Sequence, residues 1–347
     1  MCDRHPIHCI IPPYMMDRLA ESSNADVRRR ARANLRAAAT FRTQRVAAAA
    51  HPTMMVTASA TAGKERLVFT SHGTDALPGT LVRSEGDPAS GDAAVDEAYD
   101  GAGRTYDFYK AVLGRDSLDD AGMVLRSSVH VAEDGEAMNN AFWNGEQMAY
   151  GDGDGIVFGR FTTSLDVIGH ELTHGVESFT SDLEYRGQPG ALNEHFADVF
   201  GVLVRQWKQK AKSPKTASWL VGAEILVPAS TRRALRDMAK PGTAFQNDPD
   251  LGDDPQPGHM DGLYTGPSDR GGVHINSGIP NRAFVLFARA LKGPAYGTPA
   301  KVWFATMARL DRLATFAECA ALSIEESEKV GKATATAARK AWKAVGL

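Results

Sequence analysis

The stretch Val167-Ile168-Gly169-His170-Glu171-Leu172-Thr173-His174 constrains this chain more than any other. It reads His-Glu-x-x-His inside an apolar run. In a helix, residues four apart sit on one face, a turn from each other, so His170 and His174 become neighbours. Two neutral imidazoles there can close on one zinc ion at about 2.0–2.1 Å each. Glu171 directly follows the first histidine, so its carboxylate can point past the metal toward an open position and take a proton from water. A surface helix can carry the same five residues by chance, and the pattern alone does not make a site.

A zinc site needs a third protein ligand. Downstream lies Gly190-Ala191-Leu192-Asn193-Glu194-His195-Phe196-Ala197-Asp198-Val199-Phe200-Gly201. Glu194 and Asp198 share a face of a second expected helix. Glu194 can be the third ligand, and Asp198 can accept the other ring N–H of a zinc histidine, which fixes its tautomer. Such a pair usually marks a solvated face, but Leu192, Phe196, Val199 and Phe200 make this helix apolar, and buried carboxylates need partners. A third segment, Asp269-Arg270-Gly271-Gly272-Val273-His274-Ile275-Asn276-Ser277-Gly278, sets His274 on a tight loop ahead of a helix-like run starting near Pro280. A histidine so placed suits a donor to a developing oxyanion, with Asp269 holding its tautomer and favouring its charged form.

Together with Asn139-Asn140-Ala141-Phe142-Trp143-Asn144-Gly145 and Gly151-Asp152-Gly153-Asp154-Gly155, these segments occur in the order seen in the thermolysin-like zinc endopeptidases, which the chain resembles from about residue 65 to 345. The resemblance implies that His170, His174 and Glu194 bind one zinc ion. It implies Glu171 as general base, Tyr185 and His274 as oxyanion partners, and Asp269 as the carboxylate orienting His274. Asp198 and Asn193 would stand behind the zinc histidines. Asn140 and the backbone of Ala141 would pair with an extended peptide as an added strand. Arg236 would grip substrate carbonyls beyond the cut. Phe158, Phe161, Val167 and Leu235 would form an apolar pocket for the side chain after the scissile bond, so cleavage is expected on the N-terminal side of bulky hydrophobic residues. Calcium-dependent members carry a double calcium site near the end of the Glu194 helix. Here Asp166 keeps its acid, but Arg205, Ser218 and Leu220 stand where further acids are expected. An arginine cannot ligate calcium, so that site is expected to be absent and replaced by an Asp166–Arg205 ion pair.

Residues 1–50 differ from the rest. They hold nine arginines, no lysine and four acids, a formal +5 in a chain whose total is −3. Segments of opposite sign attract each other or a charged partner. Leu19, Val27, Leu35, Phe41 and Val46 are spaced as in one or two helices between Asp17 and Ala50. A nucleic-acid-binding arm is disfavoured because no aromatic stacking set accompanies the arginines. The run Ile10-Ile11-Pro12-Pro13-Tyr14 instead resembles the Ile-Pro-Pro motif of the protealysin-like group, which has short prosegments. That resemblance makes residues 1–50 an inhibitory propeptide, with Ile11, Pro12, Pro13 and Tyr14 as its motif. A stiff double proline can fill the cleft while being a poor substrate. Self-processing is expected in the linker from Val46 to Val56, before Val46, Met54, Met55 or Val56. His5, His8 or Cys9 capping the zinc is a further possibility.

The implied architecture is α+β in two lobes. Residues 51–180, Gly-rich with short alternating runs such as Arg66–Phe69 and Ser128–Val131, form a β-rich lobe ending in the His170 helix; residues 181–347 form a helical lobe, and zinc sits between. With 43% hydrophobic residues there is ample material for both cores. Three cysteines argue against a disulfide framework, and Cys319 is expected in the core. The only apolar run near the start is broken by Pro12 and Pro13, so no Sec signal is visible. Extracellular location follows by family resemblance, with a cytoplasmic precursor as the alternative. Peptides or proteins are the expected substrates, the propeptide the intramolecular partner, the monomer the expected state, and neither nucleic acid nor membrane a partner. The Asp/Pro-rich stretch Asn247 to Pro257 marks turns and carries no functional reading. An inactive, peptide-binding relative is the competing function, disfavoured because every catalytic position is filled.

Overall fold

The computed structural model describes residues 8–36, 63–133, 135–227 and 231–347. The expected processing linker, the propeptide boundary at residue 50 and His5 lie outside the described residues. The chain begins with β1 (His8–Cys9) and α1 (Pro13–Leu19), followed by α2 over 25–36. Next come β2 (Arg66–Thr74), β3 (Thr80–Ser84), α3 (Ala93–Phe108), β4 (Leu125–Glu133), β5 (Glu136–Ala137), β6 (Ala141–Trp143), β7 (Met148–Gly151) and α4 (Leu165–Ser178). The second lobe holds α5 (Gly187–Lys208), β8 (Leu220–Val221), β9 (Arg236–Asp237), α6 (Asp269–Asn276), α7 (Gly278–Ala290), α8 (Thr298–Met307), α9 (Phe316–Val330) and α10 (Lys332–Lys343).

The first lobe is a seven-stranded mixed sheet in the order β1-β6-β7-β4-β2-β3, with β5 on β4. β2 and β7 run parallel to β4, and the remaining pairs are antiparallel. The alternating runs at Arg66 and Ser128 are its inner strands. Two features were not legible in those runs. One is α3, which starts on the Asp92 side chain, an acceptor for the Ala94 and Val95 amides, and buries Ala94, Val95, Ala98, Tyr99 and Ala102. The other is the edge strand β1, which comes from the N-terminal segment and pairs His8 with Trp143 and Cys9 with Phe142.

Helix α4 crosses the junction of the lobes and is buried from Asp166 to Glu177. It packs against α5 at glycines: a Cβ on Gly201 would stand 2.4 Å from the Asp166 carbonyl oxygen and 2.8 Å from the His170 amide nitrogen. Only a residue without a side chain allows this approach, which brings Glu194 within reach of the α4 histidines. Near the N-terminal end of α4, the Asp166–Arg205 ion pair is formed. Arg205 also donates to the Leu220 carbonyl at 2.8 Å, and the Gly222 amide donates to Asp166 at 3.2 Å. In the helical lobe, Trp303 stacks on Trp342 with ring planes 6° apart, and Cys319 is fully buried.

Candidate metal centre and peptide cleft

His170, His174 and Glu194 are fully buried, and each offers a ligand atom within 4.8 Å of the others. The two Nε2 atoms are 3.1 Å apart; Glu194 reaches His170 at 3.5 Å and His174 at 3.6 Å. The remaining ring nitrogens face away from this point. His170 Nδ1 lies 2.9 Å from Asp198, and His174 Nδ1 lies 2.6 Å from Asn193 Oδ1. Both rings are thereby turned so that Nε2 presents its lone pair to the cluster. Glu194 Oε2 is buried without a hydrogen-bond partner. A buried carboxylate oxygen without a hydrogen-bond partner, 3.5 Å from His170 Nε2, fits a cation, and the two-histidine, one-glutamate set suits zinc.

Two groups in this shell were not singled out in the sequence. Glu177, on α4, accepts from Asn193 Nδ2 at 2.6 Å and so decides which way the Asn193 amide faces. Burial pushes its carboxyl pKa up to about 8. It lies one turn beyond His174, and that spacing was the available signal. Asn281, on α7, donates to Asp198 at 2.9 Å. Asp198 also takes a two-pronged bond from Arg236 at 2.8 Å per contact. Burial would raise the Asp198 pKa, but Arg236 and His170 hold it well below the usual carboxylate range.

Glu171 accepts the Trp143 amide at 3.0 Å. Burial, with Glu194 nearby, raises its pKa well above the ordinary value. Tyr185 donates to Glu194 and lies 3.3 Å from His274 Nε2. His274 is on the short helix α6 rather than a loop. Asp269 and Arg270, with φ of 52° and 51°, and two left-handed glycines after them turn the chain sharply, and the Val273–Asn276 turn then closes into helix. Asp269 holds His274 twice, at Nδ1 and at the backbone amide, each at 2.7 Å. Burial opposes the charge on His274, yet Glu194 and Asp269 beside it raise its pKa to about 9.

The N-terminal segment occupies the cleft. The Cys9 carbonyl accepts from His274 Nε2 at 3.1 Å. The Ile10 amide donates to the Ala141 carbonyl and the Ile10 carbonyl accepts from Arg236, both at 3.2 Å. The Ile11 amide donates to Asn140 Oδ1 at 3.2 Å. Ile10 is fully buried in the same apolar cluster as Phe158, Phe161, Val167 and Leu235. The double proline is not extended throughout. Pro12 has φ −60° and ψ 143°, but Pro13 opens α1, because proline's fixed φ and missing N–H suit a first helical position. Tyr14 is buried, and its phenol pKa is raised by that burial and by Asp254. Beyond the motif, Arg18 donates to the Leu251 carbonyl and Ser22 to Asp250 at 2.5 Å. The stretch from Asn247 to Pro257 is thus where α1 docks. Cys9 meets the site through its backbone carbonyl, and among the described residues the ligand cluster does not include it.

The chain matches two family profiles: thermolysin metallopeptidase, catalytic domain, over residues 39–178, and thermolysin metallopeptidase, alpha-helical domain, over residues 181–347. It is 49% identical over 291 residues to protease PrtS of a Photorhabdus strain, covering 81% of this chain and 76% of that one. It is 41% identical over 346 residues to an extracellular metalloprotease of Pectobacterium carotovorum, covering 99% and 97%. Its fold is similar to the precursor of protealysin, a metalloproteinase from Serratia proteamaculans, with TM-score 0.88 and 40% identity over 98% of this chain and 99% of that one. The chain belongs to the thermolysin family of metallopeptidases, hydrolases that act on peptide bonds.

Proposed function

We propose that this chain is the self-inhibited precursor of a zinc endopeptidase that cuts on the N-terminal side of bulky hydrophobic residues. The observation carrying this reading is the buried His170–His174–Glu194 cluster with Glu171 beside it and a peptide carbonyl already held by His274. Zinc, when bound by His170, His174 and Glu194, would supply Lewis-acid polarisation and ease deprotonation of water. Glu171 takes the proton of the attacking water and returns it to the leaving amine. Its buried setting suits a carboxylate that must accept and release a proton. His274, kept charged by Asp269, and Tyr185 donate to the carbonyl oxygen as negative charge develops there. Ala141 and Asn140 align the peptide as an edge strand, and Arg236, fixed by Asp198, holds the carbonyl after the cut. The apolar cluster at Phe158, Phe161, Val167 and Leu235 favours Leu, Phe, Ile or Val at that position.

The N-terminal segment acts as the inhibitor by lying in that same cleft, and the whole-length likeness to the protealysin precursor supports this. Release by a cut in the linker after residue 45, self-catalysed, is part of the proposal. So is the replacement of the double calcium site by the Asp166–Arg205 pair. The extracellular relative supports export of the mature enzyme. No described helix is long and apolar enough to cross a membrane.

The test pairs zinc-loaded wild type with Glu171→Ala on a peptide with an internal Leu or Phe, after trace protease has nicked the linker. Cleavage before the Leu or Phe is expected in wild type, with a loss of about 10²–10⁴-fold in the variant at equal metal content. Zinc-bound, nicked wild type that cuts nothing would mark the chain as a peptide binder.

A further inference from the structure

We propose that the Cys9–Ile10 peptide bond is itself presented for hydrolysis, so that the precursor cuts its own inhibitor there. The inference rests on the endopeptidase reading above and concerns the register in which the segment lies. β1 runs antiparallel to β6, which fixes the chain direction. His274, Ala141, Arg236 and Asn140 each meet an atom of one peptide unit or of the residues flanking it. His274, the oxyanion donor, is on the Cys9 carbonyl at 3.1 Å. Glu171, the proton carrier, is held at the same strand edge by the Trp143 amide at 3.0 Å, and the Ile10 nitrogen would become the leaving amine. The Ala141 carbonyl takes the same N–H at 3.2 Å. Arg236 holds the next carbonyl, that of Ile10, and Asn140 takes the following amide, that of Ile11. The residue immediately after the bond is a fully buried isoleucine, the side-chain class the apolar cluster accepts. A segment that merely plugged the cleft would not need one carbonyl on the oxyanion donor and the next N–H, carbonyl and amide on the groups that align a substrate.

The step is a simple hydrolysis. Water oxygen bonds to the Cys9 carbonyl carbon and the bond to the Ile10 nitrogen breaks. Glu171 carries both water protons in turn to that nitrogen, leaving a Cys9 carboxylate and an Ile10 ammonium. Only residues 1–9 are freed. Residues 10–36 keep their contacts through Arg236, Asn140, Leu251 and Asp250, so the cleft stays filled and the cut chain stays silent. Activity then requires the separate cut in the linker.

Full-length wild type, Glu171→Ala and Ile10→Asp are incubated with zinc, and the N-termini of all species are read by mass spectrometry. A fragment beginning at Ile10 is expected in wild type and in neither variant. Each sample, with its linker nicked by trace protease, is also given the internal-Leu peptide, and Ile10→Asp is expected to cut it faster than wild type because its cleft is loosened. A second reading needs no metal: in zinc-free protein, trypsin should cut at Arg18 and Arg28 several-fold faster in Ile10→Asp than in wild type. If the peptide is cut but no species ever begins at Ile10, the Cys9–Ile10 proposal is overturned and the endopeptidase reading stands. If Glu171→Ala yields the same fragment, the cut is not the chain's own and the proposal also falls. If neither metal-bound, nicked wild type nor nicked Ile10→Asp cuts the peptide, the endopeptidase reading fails and takes this one with it.

Discussion

Arg236 and Asp198 link the His170–His174–Glu194 cluster to the strand edge that the N-terminal segment occupies, through one pair of buried charges. Arg236 is 1% exposed and spends two donors on Asp198 and one on the Ile10 carbonyl. Asp198→Ala leaves a buried guanidinium unpaired and His170 without its orienting acceptor, an expected cost of about 3–5 kcal/mol in urea unfolding of the zinc-free precursor. Asp198→Asn, which keeps the shape but not the charge, should fall between it and wild type. A second residue-scale expectation concerns His130, held between Asp152 at 2.7 Å and Asp92 at 2.9 Å. Burial opposes its charge, but those hydrogen bonds raise its pKa above the ordinary value. Its contribution to stability is therefore fully present below the unfolded value of about 6.5 and fades as pH rises through the folded one. His130→Gln should remove that decline from the pH–stability profile, read by thermal unfolding; an unchanged profile would sink the assignment. At this scale, residue type and spacing marked the His170–His174–Glu194 cluster, because two histidines one turn apart and a buried carboxylate suit a cation. They did not reveal that His274 closes into helix, because the glycines that signal a loop here only turn the chain into α6.

At the level of elements, the approach of α4 and α5 decides whether Glu194 meets the two histidines. Gly201→Ala puts a methyl against the Asp166 carbonyl and the His170 amide. The helices must shift, with an expected loss of about 1–3 kcal/mol and weaker zinc binding, measured by unfolding and competition with a chelator. The ion pair at the other side of this contact makes the opposite kind of statement. Calcium should leave the melting temperature of wild type unchanged, whereas Arg205→Ala should cost about 3–5 kcal/mol by stranding the buried Asp166 charge. Strong stabilisation of wild type by calcium would contradict the replacement. The helix pair was legible because its apolar residues recur at helical spacing. The docking role of the 247–257 stretch was not, since its turn-forming Asp and Pro residues act through backbone carbonyls and one carboxylate, and only the fold sets them opposite Arg18 and Ser22.

Across the whole molecule, the N-terminal segment behaves as a part of the catalytic fold. It supplies an edge strand to the sheet, buries Ile10, Ile11, Met15 and Leu19 in the core shared by both lobes, and brings a basic helix against the acidic remainder, with Arg29 and Arg30 on Glu136. Charge and the Ile-Pro-Pro run set this segment apart in the sequence. Its register in the cleft depends on pairing with β6, residues more than a hundred positions away. The most direct measurement of this account follows intact mass and peptide cleavage together while full-length protein is incubated with zinc, beside Glu171→Ala. Cleavage should rise in step with loss of the segment ahead of the linker, while the variant stays whole and silent. Full activity from a chain that still carries residues 10–36 intact and attached would contradict it.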